Sequence, residues 1–132
     1  MKNLNRLYWL KIEIKQIENQ IKELTVLKGS TISAMPTAKG APSSPVEQFV
    51  LKVEKLTKKL NKKRNELVAE TERIEAYIES IEDDEVRIIA RARFIDNKKF
   101  EEIGNEVHMH RTTVARMLDK YIERRTKDET QN

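Results

Sequence analysis

Residues 100–125 read FEEIGNEVHMHRTTVARMLDKYIERR, and the spacing of their apolar side chains decides the fold of the C-terminal part. Counting from Ile103, apolar residues recur at Val107, Met109, Val114, Met117 and Leu118. The step of four keeps Ile103 and Val107 on one face of a short helix. Met109 falls in a turn, and the positions 114, 117 and 118 form the inward stripe of a second helix. Gly104 stands where two crossing helices approach closely and a small side chain is required. The pattern predicts a helix-turn-helix, two helices at a steep angle around a shared plug, which is the arrangement that lays one helix in a DNA major groove. The polar side of the second helix carries His110, Arg111, Thr112, Thr113, Arg116, Lys120, Arg124 and Arg125, side chains suited to phosphates and base edges. Two positions work against ideal geometry. His108 sits where the turn needs a positive φ, which His tolerates better than most non-glycine residues. Gly104 in place of Ala costs its helix roughly 0.5–1 kcal/mol.

Working back along the chain, Asp83 and Asp84 break a preceding helix, and one of them can cap the next. A helix is expected over about 85–96, with Val86, Ile89, Ala90, Phe94 and Ile95 facing inward and Arg87, Arg91 and Arg93 largely outward. A turn at 96–99 then leads into the helix-turn-helix, so that 83–132 forms a three-helix unit. Upstream, Ser44, Pro45 and Glu47 mark a helix start with a capping box. Val46, Phe49, Val53, Leu56, Leu60, Leu67, Ile74, Tyr77 and Ile81 carry an apolar seam from there to about residue 82, interrupted by Lys63 and Glu70. An earlier helix over about 3–27 has its own seam at Leu7, Leu10, Ile14, Ile17, Ile21 and Leu24, and Gly29 stops it.

These two helices predict a coiled-coil hairpin over 1–82. The glycine- and proline-containing segment at 29–44 is its flexible linker, in which Ile32 and Met35 are placed to pack locally. The second helix outlasts the first, so part of the seam near Leu67, Ile74 and Tyr77 is expected to stand uncovered. That motivates a homodimer held by the N-terminal helices, with Lys63 and Glu70 meeting across the pair.

Composition agrees with long helices and little else. The chain has 132 residues, 38% hydrophobic and 36% charged, with only three glycines and three prolines, which favours an all-α fold over a sandwich or an α/β sheet. No cysteine is present, so disulfides and thiolate–metal sites are ruled out. Lys11, Glu13 and Lys15 interrupt the only apolar stretch near the N-terminus, which reads as neither a signal peptide nor a membrane span. The net charge is +4. Residues 107–127 hold six basic side chains against two acidic ones, so this stretch alone matches that excess and is the electrostatic footprint of a DNA reader.

No catalytic constellation stands out. His108 and His110, two positions apart, would diverge on a helix and have no third metal ligand, and no glycine-rich phosphate loop or nucleophile motif occurs. The acidic run 83–85 is explained by helix capping and the helix dipole. Neither an enzyme nor a bound cofactor is expected. Tyr8 and Trp9 read as structural, with Trp9 either covering the seam or lying at a subunit contact.

Three elements occur in order: ISAMP followed by SSPVE, a long helical middle, and the block 86–122. In that order they resemble the ArpU/RinA-like late-gene transcriptional activators, a family of short regulators encoded by phages and prophages. The resemblance covers most of the chain. It is carried most specifically by Met35-Pro36 ahead of a capped helix, and by Arg93-Phe94-Ile95 where the family has an Arg-Tyr-Ile-like triplet. The chain departs from the family at Lys99-Phe100, in place of Ser or Thr followed by Trp, at Gly104 for a usual Ala, and at His108 for a usual Gly.

The resemblance implies a C-terminal part similar to sigma-factor region four, binding to promoter-region double-stranded DNA, control of phage late genes, and host RNA polymerase as a candidate partner in a bacterial cytoplasm. Arg111, Thr112 and Arg116 are the expected base or near-base contacts, from the early turns of the second helix. His110 is expected to cap that helix and touch a phosphate. Thr113, Lys120, Arg124 and Arg93 are expected phosphate contacts. Two other readings stay open. One is a packaging protein of the small-terminase type, which would form a large ring. The other is a coiled-coil adaptor that binds protein and not DNA.

Overall fold

The computed structural model describes residues 4–28 and 44–131. Every regular element among them is helical. They are α1 (Arg6–Glu23), extended by a wider π-helical turn Leu24–Lys28, then α2 (Pro45–Glu79), α3 (Asp84–Phe94), α4 (Phe100–Val107) and α5 (Arg111–Gln131). The linker expected at 29–44, with Ile32, Met35 and Pro36, lies outside the described residues apart from Ser44. No helix among the described residues is long and apolar enough to cross a membrane.

The helix starts follow from local chemistry. Ser44 Oγ accepts the Glu47 N–H at 3.1 Å, and Pro45 opens α2 where its missing N–H is no loss. The helix runs for 35 residues, about 52 Å. Asp83 is the residue that caps α3, its carboxylate accepting the N–H groups of Glu85 at 2.9 Å and Val86 at 3.3 Å.

The chain divides into two compact units, residues 9–68 and, as far as they are described, residues 4–8 with 69–131. In the first unit, Ile14 and Ile17 of α1 and Leu60 of α2 are buried together, with Ile21 and Leu67 packed partly against them. Lys63 interrupts the seam of α2, and its ammonium lies 3.0 Å from Glu13 and 3.7 Å from Glu66. Beside it, Arg64 reaches Glu18 at 3.3 Å.

The second unit is built on Leu4, Leu7, Ile74, Ile78, Ile81, Val86, Ile89, Ala90, Ala92, Phe94, Ile103, Val114 and Leu118, all buried. Each of the large side chains in that set contributes about 1.5–3 kcal/mol by leaving water. Within this unit the seam of α2 is not left open as the sequence implies. Ile74 is wholly buried, and the Arg125 guanidinium lies 3.9 Å from the centroid of the Tyr77 ring. Glu70 is held by Arg73 at 2.6 Å and stands 3.8 Å from Arg6. Lys63 and Glu70 thus have partners inside the chain.

Candidate nucleic-acid interface

The α4–α5 corner is fixed by backbone contacts. Ile103 and Val114 are fully buried, and the half-buried Met109 sits in the turn between them. His108 ends α4 at φ 58°, ψ 45°, in the left-handed region, and its N–H is directed to the Gly104 carbonyl. Met109 N–H reaches the same oxygen at 2.9 Å. A Cβ on Gly104 would lie 2.5 Å from the Met109 carbonyl oxygen and 3.3 Å from the Arg111 nitrogen. Glycine at this position is therefore a requirement of the corner, and even the alanine usual in the family resembled would not fit this geometry.

His110 caps α5. Its Nδ1 accepts the Thr112 N–H at 3.2 Å and faces Thr112 Oγ1 at 2.8 Å, while its carbonyl accepts Thr113 N–H at 3.0 Å and Val114 N–H at 3.1 Å. An accepting Nδ1 places the ring proton on Nε2, where it remains a donor.

Beyond the cap, Arg111, Thr112, Thr113, Arg116, Lys120 and Arg124 are all exposed. Thr112, Arg116, Lys120 and Arg124 follow one another at intervals of four, one row along the helix, with Arg111 on the flank of the first turn. None of the four cations takes part in an ion pair among the described residues. Lys120 and Arg124 also border a cleft of about 570 Å³ that Glu82 and Asp83 share. The field at those two is therefore partly offset by acids, whereas Arg111 and Arg116 stand outside the cleft.

The remaining arginines of this unit are engaged elsewhere. Arg87, Arg91 and Arg93, expected to face largely outward, are each half-buried and bonded. Arg87 donates to the Ile81 carbonyl at 3.0 Å and pairs with Asp84. Arg91 bridges α3 to Glu75, at 2.7 Å, and to Glu79 on α2. Its pKa is raised, first by the hydrogen bond to Glu75.

Arg93 stands apart from the α5 row. Its guanidinium donates to the Lys98 carbonyl at 3.1 Å and lies 4.1 Å over the Phe100 ring, closing the turn between α3 and α4. Lys98 is bonded to Glu106 at 2.7 Å, which is the main cause of its raised pKa. Arg125, counted by sequence on the polar side of its helix, faces α2 instead. It donates to the Tyr77 carbonyl at 3.3 Å and to the Tyr121 hydroxyl at 3.1 Å.

Lys99, noted in the sequence as a departure from Ser or Thr, was not counted among the candidate site residues. It occupies the cap position of α4 in extended backbone (φ −73°, ψ 151°) with no side-chain cap bond, and it is exposed. The signal was a cation where Ser or Thr is the ordinary choice.

Comparison with known protein families, with curated proteins and with solved structures gives no match.

Proposed function

We propose that this chain is a sequence-specific DNA-binding transcriptional regulator, with α4 and α5 acting as a helix-turn-helix and α5 as its reading helix. One observation carries the proposal. Arg111, Arg116, Lys120 and Arg124 stay exposed and without an ion pair among the described residues on a single helix, while Arg87, Arg91, Arg93 and Arg125 are all bonded within their unit. The chain holds 22 acidic residues against 26 basic ones, so partners for a merely solvated face were abundant. A protruding guanidinium at the first turns of a helix can meet a guanine edge through two hydrogen bonds, and threonine hydroxyls and lysine can hold the flanking phosphates.

In this reading Arg111, Thr112 and Arg116 contact bases or their immediate surroundings. His110 offers Nε2–H to a phosphate, and Thr113, Lys120 and Arg124 grip the backbone. Arg93 acts through the turn it closes. The N-terminal helices form a coiled-coil hairpin. The resemblance to phage late-gene activators supports activation as the direction of control and RNA polymerase as the second partner, with no reaction catalysed.

The test begins by selecting a binding site from a random duplex library. Arg111→Ala and Arg116→Ala should each weaken binding to that site by about 1–3 kcal/mol, with the fold unchanged. Affinity should also fall steeply with salt, as four to six phosphate contacts require (roughly, by counterion release). Full affinity in both variants would remove α5 as the reader, and a binding constant flat in salt would favour the adaptor.

A further inference from the structure

The charge of this chain is concentrated in a second place, in the unit of residues 9–68. Along α2, Lys52, Lys55, Lys59 and Lys62 follow at spacings of three, four and three, which keeps all four within about 80° of the helix circumference. They extend over about 15 Å of helix, and Lys58 flanks them. All five are exposed. None takes part in an ion pair among the described residues, although the very next cations do, Lys63 with Glu13 and Arg64 with Glu18. The one acid between Lys52 and Lys62 is Glu54, which the helical spacing turns away from the row. This is not a face of alternating charges that satisfy one another. It is a strip of one sign.

We propose that this strip binds the phosphate backbone of duplex nucleic acid, without regard to sequence. The side-chain chemistry selects that occupant. A strip that docked on protein would be expected to carry aromatic residues and arginine, because lysine is depleted at such interfaces. A membrane-surface helix needs an apolar face to sink among the lipid chains beside its cations. Between Lys52 and Lys62 the strip offers neither, and Leu51 stands only at its edge. Lysine without arginine cannot read base edges in pairs of hydrogen bonds, but its mobile ammonium suits phosphates at any register. The strip is as long as four to five base-pair steps (about 3.4 Å each). The inference rests on the proposed DNA-binding reading only for its choice of polyanion, and it assigns a surface that reading does not use.

The experiment uses the full chain and a random-sequence 30-base-pair duplex, with affinity measured by fluorescence anisotropy between 50 and 300 mM salt. Glutamine keeps helix propensity and no ion pair is lost, so the quadruple variant K52Q/K55Q/K59Q/K62Q should retain its helical circular dichroism. Its slope of log affinity against log salt should be shallower by about three, and its affinity at 100 mM lower by about tenfold or more. The matching quadruple arginine variant should keep the parent slope. Unchanged affinity and slope in the glutamine variant would overturn the inference. Strip-dependent sedimentation with phosphatidylserine vesicles, together with an unchanged DNA slope, would overturn it in favour of a membrane surface. The double variant R111A/R116A separates the two readings. If it loses the selected site while the glutamine variant binds like the parent, the reading helix survives and the strip does not. If the glutamine variant alone is impaired, the strip stands and the assignment of α5 falls.

Discussion

Replacing Gly104 by alanine should destabilise the protein, although alanine is the better helix former. In a helix interior the exchange is worth about 1 kcal/mol in favour of alanine. Against it stands the new methyl group, 2.5 Å from the Met109 carbonyl oxygen, where even close C–H···O contacts keep about 3.3 Å. The obstacle is backbone, so relief means moving the turn. That shift weakens the bond from Met109 N–H to the Gly104 carbonyl, now 2.9 Å long. Overpacking of this kind costs about 1–3 kcal/mol, and one weakened hydrogen bond adds about 1 kcal/mol. After the propensity gain, a net loss of about 1–3 kcal/mol is expected. At roughly 4 °C per kcal/mol for a chain of this size, Tm should fall by about 4–12 °C. Thermal and urea unfolding followed at 222 nm would measure it, with Asn105→Ala as the comparison. Asn105 is exposed on the same helix, and its replacement should gain about 0.5 kcal/mol from propensity alone. A Gly104→Ala protein as stable as the parent would refute the close crossing of α4 and α5.

Three further outcomes are expected. His108→Gly should raise stability by about 0.5–1 kcal/mol, because the left-handed backbone at φ 58° strains a side-chain-bearing residue by about 1–2 kcal/mol, more than glycine's added freedom in the unfolded chain removes; urea midpoints decide it. Asp83→Ala removes the acceptor of two N–H groups at the start of α3 and should lower stability by about 1 kcal/mol in the same assay. Tyr77→Phe should stabilise by about 1 kcal/mol at neutral pH, since the buried hydroxyl has no hydrogen-bond partner among the described residues. Burial raises the Tyr77 pKa above 10.0, partly opposed by Arg125. The phenol therefore ionises first in the unfolded chain, and the parent should lose stability as pH rises through about 10. Tyr77→Phe should lack that share of the loss, and identical alkaline profiles would count against the burial.

The elements themselves were legible where local chemistry fixes them. Ser44 and Pro45 announced the start of α2, the aspartates announced the cap of α3, and the turn at His108 took the left-handed backbone its position demanded. Of the inward stripe of α5, Val114 and Leu118 are buried and Met117 is half-buried at the edge of the cleft. The far end of α2 was misread because a seam of three- and four-residue steps was continued through Tyr77. A straight helix drifts from such a repeat, and the side chain that ends up wholly buried is Ile78. Arginines were the least legible. Arg91, Arg93 and Arg125 look like solvated charge in sequence, and only the folded chain brings Glu75, Phe100 and Tyr77 beneath them. The lysine strip of α2 was hidden for a related reason. A net charge sums the whole chain, and the acidic run at 82–85 and the paired glutamates of α2 cancel the strip in that sum.

Arg125 clasps Tyr77 and Tyr121 on the same helix that begins with Arg111, some 21 Å away along a continuous rod. That makes α5 a lever. A tilt of about 3° at the clasp swings Arg111 through about 1 Å over this length, enough to take a two-pronged hydrogen bond out of register. If α5 reads DNA as proposed, mutations around Tyr77 would alter its site preference with no contact to DNA at all, and variation there would retune the helix from its far end.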